Sequence, residues 1–136
     1  MEHGDLSTYA LPRMVVVLEG VLVDIEETTT GRIRKETTRS YHWLETPLKR
    51  LVYLRRTYPD TSIDIVTFIS SEVATHAADF LDRHDIPITS SEYHTFSEWA
   101  WSLRLHPEIV AIYDSDPERL HKYGQLGVAV VRGGDF

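Results

Sequence analysis

The 136-residue chain contains no cysteine, which excludes disulfides, thiolate nucleophiles, thiolate zinc sites and iron–sulfur clusters. Asparagine is also absent, and three lysines stand against eleven arginines. That bias is of the kind GC-rich coding produces, and it speaks to origin rather than function. No stretch approaches the roughly 18 consecutive apolar residues of a membrane span. The start, Met1 to Pro12, lacks a basic end followed by an apolar run, so no secretory leader is expected and a cytoplasmic location is. Basic residues are outnumbered 14 to 21, a net charge of −7. A surface of that sign repels phosphate backbones, so nucleic acid is not an expected partner unless the basic residues cluster. They are unevenly spread, with a concentration between Arg32 and Arg56.

Apolar residues make up 42% of the chain and charged residues 26%, the balance of an ordinary folded domain. A chain of this length forms one domain and buries roughly two-thirds of its unfolded surface. Residues 1–13 read as a polar, unpatterned tail and 14–136 as the domain.

Met14 to Leu18 is a continuous valine-rich run, the pattern of a strand buried on both faces. After Glu19 and Gly20 a strand resumes over Val21–Ile25, Thr28 to Gly31 reads as a turn, and Arg32–Thr38 as a returning strand. A polar hairpin therefore follows the first strand directly, over about 21–40. Thr46 and Pro47 mark a helix start, and Leu48, Leu51 and Val52 form its apolar stripe up to Pro59. Ser62–Ile69 reads as the second buried strand. Ser70 or Ser71 then caps a helix carrying Val73, Ala74, Ala77, Phe80 and Leu81 on one side. Ile86–Thr89 reads as a short third strand, placed at an edge by Pro87. Thr95 to Glu98 and Ser115 to Glu118 fit capping boxes, with a fourth strand over Ile109–Tyr113 between those helices and a fifth over Val128–Val131.

This alternation with short connections predicts an α/β fold: a five-stranded parallel sheet in a three-layer, Rossmann-like arrangement, with a hairpin flap after strand 1. In such sheets ligands bind at the carboxyl ends of the strands. Glu19, Thr67, Ser70, Asp114, Asp116 and Glu118 fall at those ends. Carboxylates and hydroxyls gathered in one crevice suit a hard cation or a phosphate. The simpler alternative makes Ser70 and Ser115 helix caps and the acids favourable neighbours of helix amino termini.

Other site patterns fail on spacing. A calcium loop from Asp114 would need glycine where Arg119 stands and glutamate where Gln125 stands. The seven histidines form no zinc-binding pair, and His76, His84 and His106 read as surface residues. Ser70-Ser71 is not set in a nucleophile elbow.

The run Val15-Val16-Val17-Leu18-Glu19-Gly20-Val21-Leu22-Val23-Asp24 resembles the first motif of the haloacid dehalogenase-like phosphohydrolases, an apolar strand followed by two aspartates one residue apart and Gly-Thr-Leu. The hairpin resembles that family's flap, Ile65-Val66-Thr67 its second motif, and Ile112 to Glu118 its acidic fourth motif. The stretch from Asp114 to Phe136 is most similar to the 3′-phosphatase domain of phage polynucleotide kinases. The resemblance spans residues 14 to 136 and implies a haloacid dehalogenase-like fold and a phage origin. It also implies a phosphate held by Thr67 and Ser70, and a weak Mg²⁺ site at Asp114 and Glu118.

The departures alter the chemistry that the resemblance implies. In the family the first aspartate attacks phosphorus and the second is the general acid and base. Aligned on Gly20, Val17 stands at the nucleophile and Glu19 at the acid position. If Glu19 is taken as the nucleophile, Val21 stands at the acid position. In either register one carboxylate is missing, and valine offers no lone pair for attack and no oxygen for Mg²⁺. The third-motif lysine is missing too, since none occurs between Lys49 and Lys122; His94 and Arg104 occupy the corresponding stretch. The expectation is an inactive phosphatase-like protein that binds a protein partner or a phosphorylated ligand. The alternatives are an active Mg²⁺-dependent phosphohydrolase on nucleotide or nucleic-acid 3′-phosphates using Glu19 and Asp114, and an unrelated Rossmann-like fold.

Two surfaces are candidates for partner binding. On the helix after Thr95, Phe96, Trp99, Ala100 and Leu103 make a core face, which leaves Trp101 and Leu105 opposite, either as a contact for a partner or a second copy or as a second face covered by the flap or tail. The other is the charged flap, with Glu26, Glu27, Arg32, Arg34, Lys35 and Glu36 followed by Tyr41, His42 and Trp43.

Overall fold

A computed structural model describes residues 11 to 133 and residue 136. Most of the expected amino-terminal tail therefore lies outside the described residues, as do Gly134 and Asp135 of the stretch from Asp114 to Phe136. The valine run forms β1 (Arg13–Val17), which sits at the centre of a five-stranded sheet. Its neighbours are β4 (Ser62–Thr67) and β6 (Ile109–Asp114), and the edges are β5 (Ser90–Tyr93) and β7 (Val131–Gly133). Every pairing in this sheet is parallel.

Alternation along β1 divides the core in two. Met14 and Val16 pack with Leu51 and Leu54 of α1 (Glu45–Thr57) and Val73, Ala77 and Leu81 of α2 (Ser71–Arg83). Val15 faces the other way, toward Trp99 of α3 (Phe96–Ser102), Leu103 of the 3₁₀ turn that follows it, and Tyr123 of α4 (Pro117–Gln125). The result is the expected three-layer α/β arrangement. Among the described residues no helix is long and apolar enough to cross a membrane.

The hairpin after β1 is present as β2 (Val23–Thr30) and β3 (Glu36–Trp43), paired from Val23 with Trp43 to Thr30 with Glu36. It lies further along than expected. Val21 and Leu22 are buried in a helical turn, in which the amides of Leu22 and Val23 donate to the Leu18 carbonyl. Thr28 to Thr30 continue the strand, as β-branched residues favour, and the reversal falls at Gly31 to Lys35. Gly31 has φ +103°, and a Cβ there would run into the Arg34 carbonyl oxygen.

Several other expected boundaries are corrected. The third strand is the polar stretch Ser90–Tyr93 rather than Ile86–Thr89. Pro87 has no amide to give a ladder, Ile86 and Ile88 pack on the core as part of a connection, and Thr89 exchanges hydrogen bonds with Ile63 through its amide and Oγ1. The fifth strand is Val131–Gly133 rather than Val128–Val131, because Val128 and Val130 pack against the Trp99 and Tyr123 cluster before the chain joins the sheet. Strand β4 ends at Thr67 and not Ile69. Helix α1 starts at Glu45 behind Leu44, whose amide donates to the Leu22 carbonyl. Thr95 makes no side-chain cap, and α4 is capped by Asp116 rather than Ser115.

His76 is not a free surface residue. It stacks on Tyr41 of the hairpin with ring centroids 3.7 Å apart, and Trp43 stacks on Phe80 at 4.0 Å. His84 leans on Phe80 at 4.3 Å. These rings fasten the base of the hairpin to α2. Asp64 is a charge within the otherwise apolar β4. It is buried and accepts from Arg13 Nε at 2.7 Å and from the hydroxyls of Ser62 and Ser90.

Candidate functional site

From β1 the sheet builds outward through β4 to β5, and the chain then crosses back to add β6 and β7 on the other side of β1, so the strand order reverses there. The carboxyl ends of these three strands form the crevice where ligands bind in open α/β sheets. Gly20 closes β1 with φ +83° and lies so close to α4's approach that a Cβ would sit 2.5 Å from Ser115 Oγ. Ser115 Oγ in turn donates to the Gly20 carbonyl at 3.0 Å. This contact ties the end of β1 to the start of α4 and explains why Ser115 is not the cap. A cavity of about 190 Å³ opens beside it, lined by Gly20, Val21, Tyr113, Asp114, Ser115 and Arg132 among others.

The structure brings Glu19, Thr67 and Asp114 to the same sheet end and commits most of their polar atoms locally. Val17, which the resemblance aligns with a nucleophile, is fully buried hydrocarbon. Glu19 Oε2 accepts from the Phe68 amide at 3.0 Å, while its Oε1 is buried with no hydrogen-bond partner. Thr67 is buried, its Oγ1 accepts from the Ile69 amide, and its carbonyl accepts from the His94 amide. Ser70 Oγ accepts from the Val73 amide and caps α2. Of the two roles read for Ser70, the capping role is the one this geometry uses.

Asp114 is 1% exposed and saturated with donors. Arg119 grips it in parallel, Nε to Oδ2 at 2.8 Å and Nη2 to Oδ1 at 3.0 Å. Tyr123 donates its hydroxyl to Oδ2 at 3.1 Å and the Asp116 amide donates to Oδ1 at 3.0 Å. Arg119 also pairs with Asp116 at 3.1 Å and lies over the Phe68 ring at 5.0 Å. Burial opposes the guanidinium charge, but its hydrogen bonds to Asp114 and the nearby charges of Asp114, Asp116 and Glu19 outweigh that and raise its pKa. Burial, followed by the Asp114 charge, pushes the Tyr123 hydroxyl far above the ordinary tyrosine range.

This donor set does not fit the Mg²⁺ site that the resemblance implies. Both Asp114 oxygens are taken by a cation and a hydroxyl, and Glu118 is exposed on the first turn of α4. Among the described residues no three histidine, aspartate or glutamate side chains group as a cation site.

Arg119 and Tyr123 are the members of the site that the sequence reading missed. They lie four residues apart on α4, so both fall on the helix face turned to the end of β6. That spacing was the available signal. Of the two residues read in the stretch of the third motif, His94 is at this sheet end, its amide on the Thr67 carbonyl and its Nε2 3.8 Å from Glu92, whereas Arg104 lies over the Trp101 ring at 5.5 Å. Trp101 is 63% exposed and Leu105 77%, while Trp99, Ala100 and Leu103 are buried. The outer face of α3 is therefore open among the described residues.

No protein-family model, curated protein or solved structure matches the chain.

Proposed function

We propose that this chain is a haloacid dehalogenase-like domain without phosphatase activity, acting in the cytoplasm by binding a protein partner or a phosphorylated ligand. The observation that carries the reading is the state of Asp114. A carboxylate that serves a metal or a transferring phosphoryl group needs free lone pairs. Here the pairs are filled by Arg119, Tyr123 and the Asp116 amide. Val17 adds the second deficit, since it has no atom that can form an ester to phosphorus. Two surfaces suit such binding. The cavity beside Ser115 and Arg132 suits a small phosphorylated ligand, and the outer side of α3 and the 3₁₀ turn, with Trp101 and Leu105, suits a protein or a second copy of this chain.

One observation favours the altered-nucleophile alternative on nucleotide or nucleic-acid 3′-phosphates. Glu19 Oε1 is a carboxylate oxygen at the sheet end with no donor. The test is phosphate release in Mg²⁺ from an aryl phosphate and from a 3′-phosphorylated oligonucleotide. The wild-type chain is expected to be silent on both. Turnover that disappears in Glu19→Ala would overturn the inactive reading and place Glu19 in an altered catalytic arrangement.

A further inference from the structure

The hairpin of β2 and β3 carries a charge pattern independent of the crevice. Its inner rungs hold Asp24, Glu26 and Glu27. Arg39 answers them, pairing with Glu27 at 2.9 Å and reaching Glu72 of α2 at 3.5 Å. Beyond that rung come Thr28 with Thr38, Thr29 with Thr37 and Thr30 with Glu36, all exposed. The turn then presents Arg32, Arg34 and Lys35 around a fully exposed Ile33. The arm is therefore acidic near the body and basic at its tip, within a chain of net charge −7.

Distance isolates that tip. Three rungs at about 3.4 Å each carry it roughly 10 Å past the last contact with the body, about one Debye length at physiological salt. A polyanion meeting the tip feels its three cations against the single carboxylate of Glu36, with the acidic body largely screened. Two-stranded ribbons fit the major groove of a DNA duplex. Arginine, lysine and threonine are donors to phosphate, and isoleucine is among the apolar side chains that wedge against bases. An anionic membrane is the poorer fit, because it is read by clusters of roughly four to eight cations.

We propose that this hairpin is a nucleic-acid-binding arm that seats its tip in a groove of duplex DNA, with Arg32, Arg34 and Lys35 on phosphates and Ile33 against the bases. Clustering of the basic residues is the one condition under which a chain this acidic binds a phosphate backbone.

The test is anisotropy of a short fluorescein-labelled DNA duplex titrated with the full chain over a range of salt. Three phosphate contacts predict binding about 40-fold weaker at 200 mM than at 50 mM salt. The triple variant Arg32→Glu, Arg34→Glu, Lys35→Glu is expected to lose binding. All three side chains are exposed, so it keeps the wild-type melting temperature. Ile33→Ser is expected to weaken binding several-fold and keep the salt dependence. The proposal is overturned by absence of wild-type binding, by binding that the triple variant retains, by equal competition from a single strand, or by preference for phosphatidylserine vesicles over the duplex.

Discussion

Arg119 and Asp114 face one another in a two-pronged ion pair, at 2.8 and 3.0 Å, behind the rings of Phe68 and Tyr123. The pair lies at the carboxyl end of β6, where an open α/β sheet places its chemistry. Arginine is pre-shaped for this fork and cannot be deprotonated at working pH. The carboxylate thereby becomes a structural anchor between β6 and α4.

Removing the arginine should be severe. Arg119→Met leaves a buried carboxylate without its cation and is expected to cost about 3–5 kcal/mol. Arg119→Lys, which keeps the charge and loses the fork, is expected to cost less. Urea unfolding of both variants checks the order, and equal stability of Arg119→Met and wild type would refute the anchoring role.

Tyr123 makes the protein sensitive to alkali. Its folded pKa is raised, so the contribution is fully present below the ordinary tyrosine value near 10 and is lost as pH rises above it, where the unfolded chain ionises and the folded one does not. Tyr41 is shifted in the same direction, by burial first. Unfolding free energy is expected to fall from about pH 10 upward, and Tyr123→Phe should flatten that slope. At neutral pH the same variant should cost about 1–2 kcal/mol for the lost bond to a charged acceptor.

Under the proposed reading Val17 stands where a nucleophile would, and placing a carboxylate there should not create turnover. Val17→Asp places a charge in a fully buried site and is expected to lower stability by several kcal/mol, or to be protonated. Asp114 remains held by Arg119 in that variant. Phosphate release by Val17→Asp together with an unchanged melting temperature would contradict both statements.

The ring stack predicts how the hairpin is held. Trp43→Ala removes the partner of Phe80, and His76→Ala the partner of Tyr41. The tryptophan change is expected to cost about 2 kcal/mol, below the range for a fully buried ring because Trp43 is half-buried. Hydrogen exchange should quicken through Val23–Thr30 and Glu36–Trp43 in both variants while β1 stays protected. Unchanged exchange in the hairpin would show that the main-chain ladder alone keeps it in place.

Much of this architecture is written locally in the chain. The valine run, the Ser70 cap with the apolar stripe of α2, the hairpin after β1 and the convergence of Glu19, Thr67 and Asp114 follow from periodicity and order. The edge strands escaped that reading because β5 is polar, its pairing set by β4 rather than by its own side chains. Ile86–Thr89 and Val128–Val131 read as strands because they are apolar, yet Ile86, Ile88, Val128 and Val130 pack half-buried as connections. What an acid does was decided only in three dimensions. Asp114, Glu19 and Asp64 look alike in one dimension. The first is gripped by Arg119, the second has one oxygen on the Phe68 amide and one on nothing, and the third is bound to Arg13. Residue order determines which carboxylates reach the sheet, since strand period and helix stripe are local. Which donors meet them depends on contacts made only when α4 closes on β6 and β1 aligns with β4, so the tertiary fold assigns their roles.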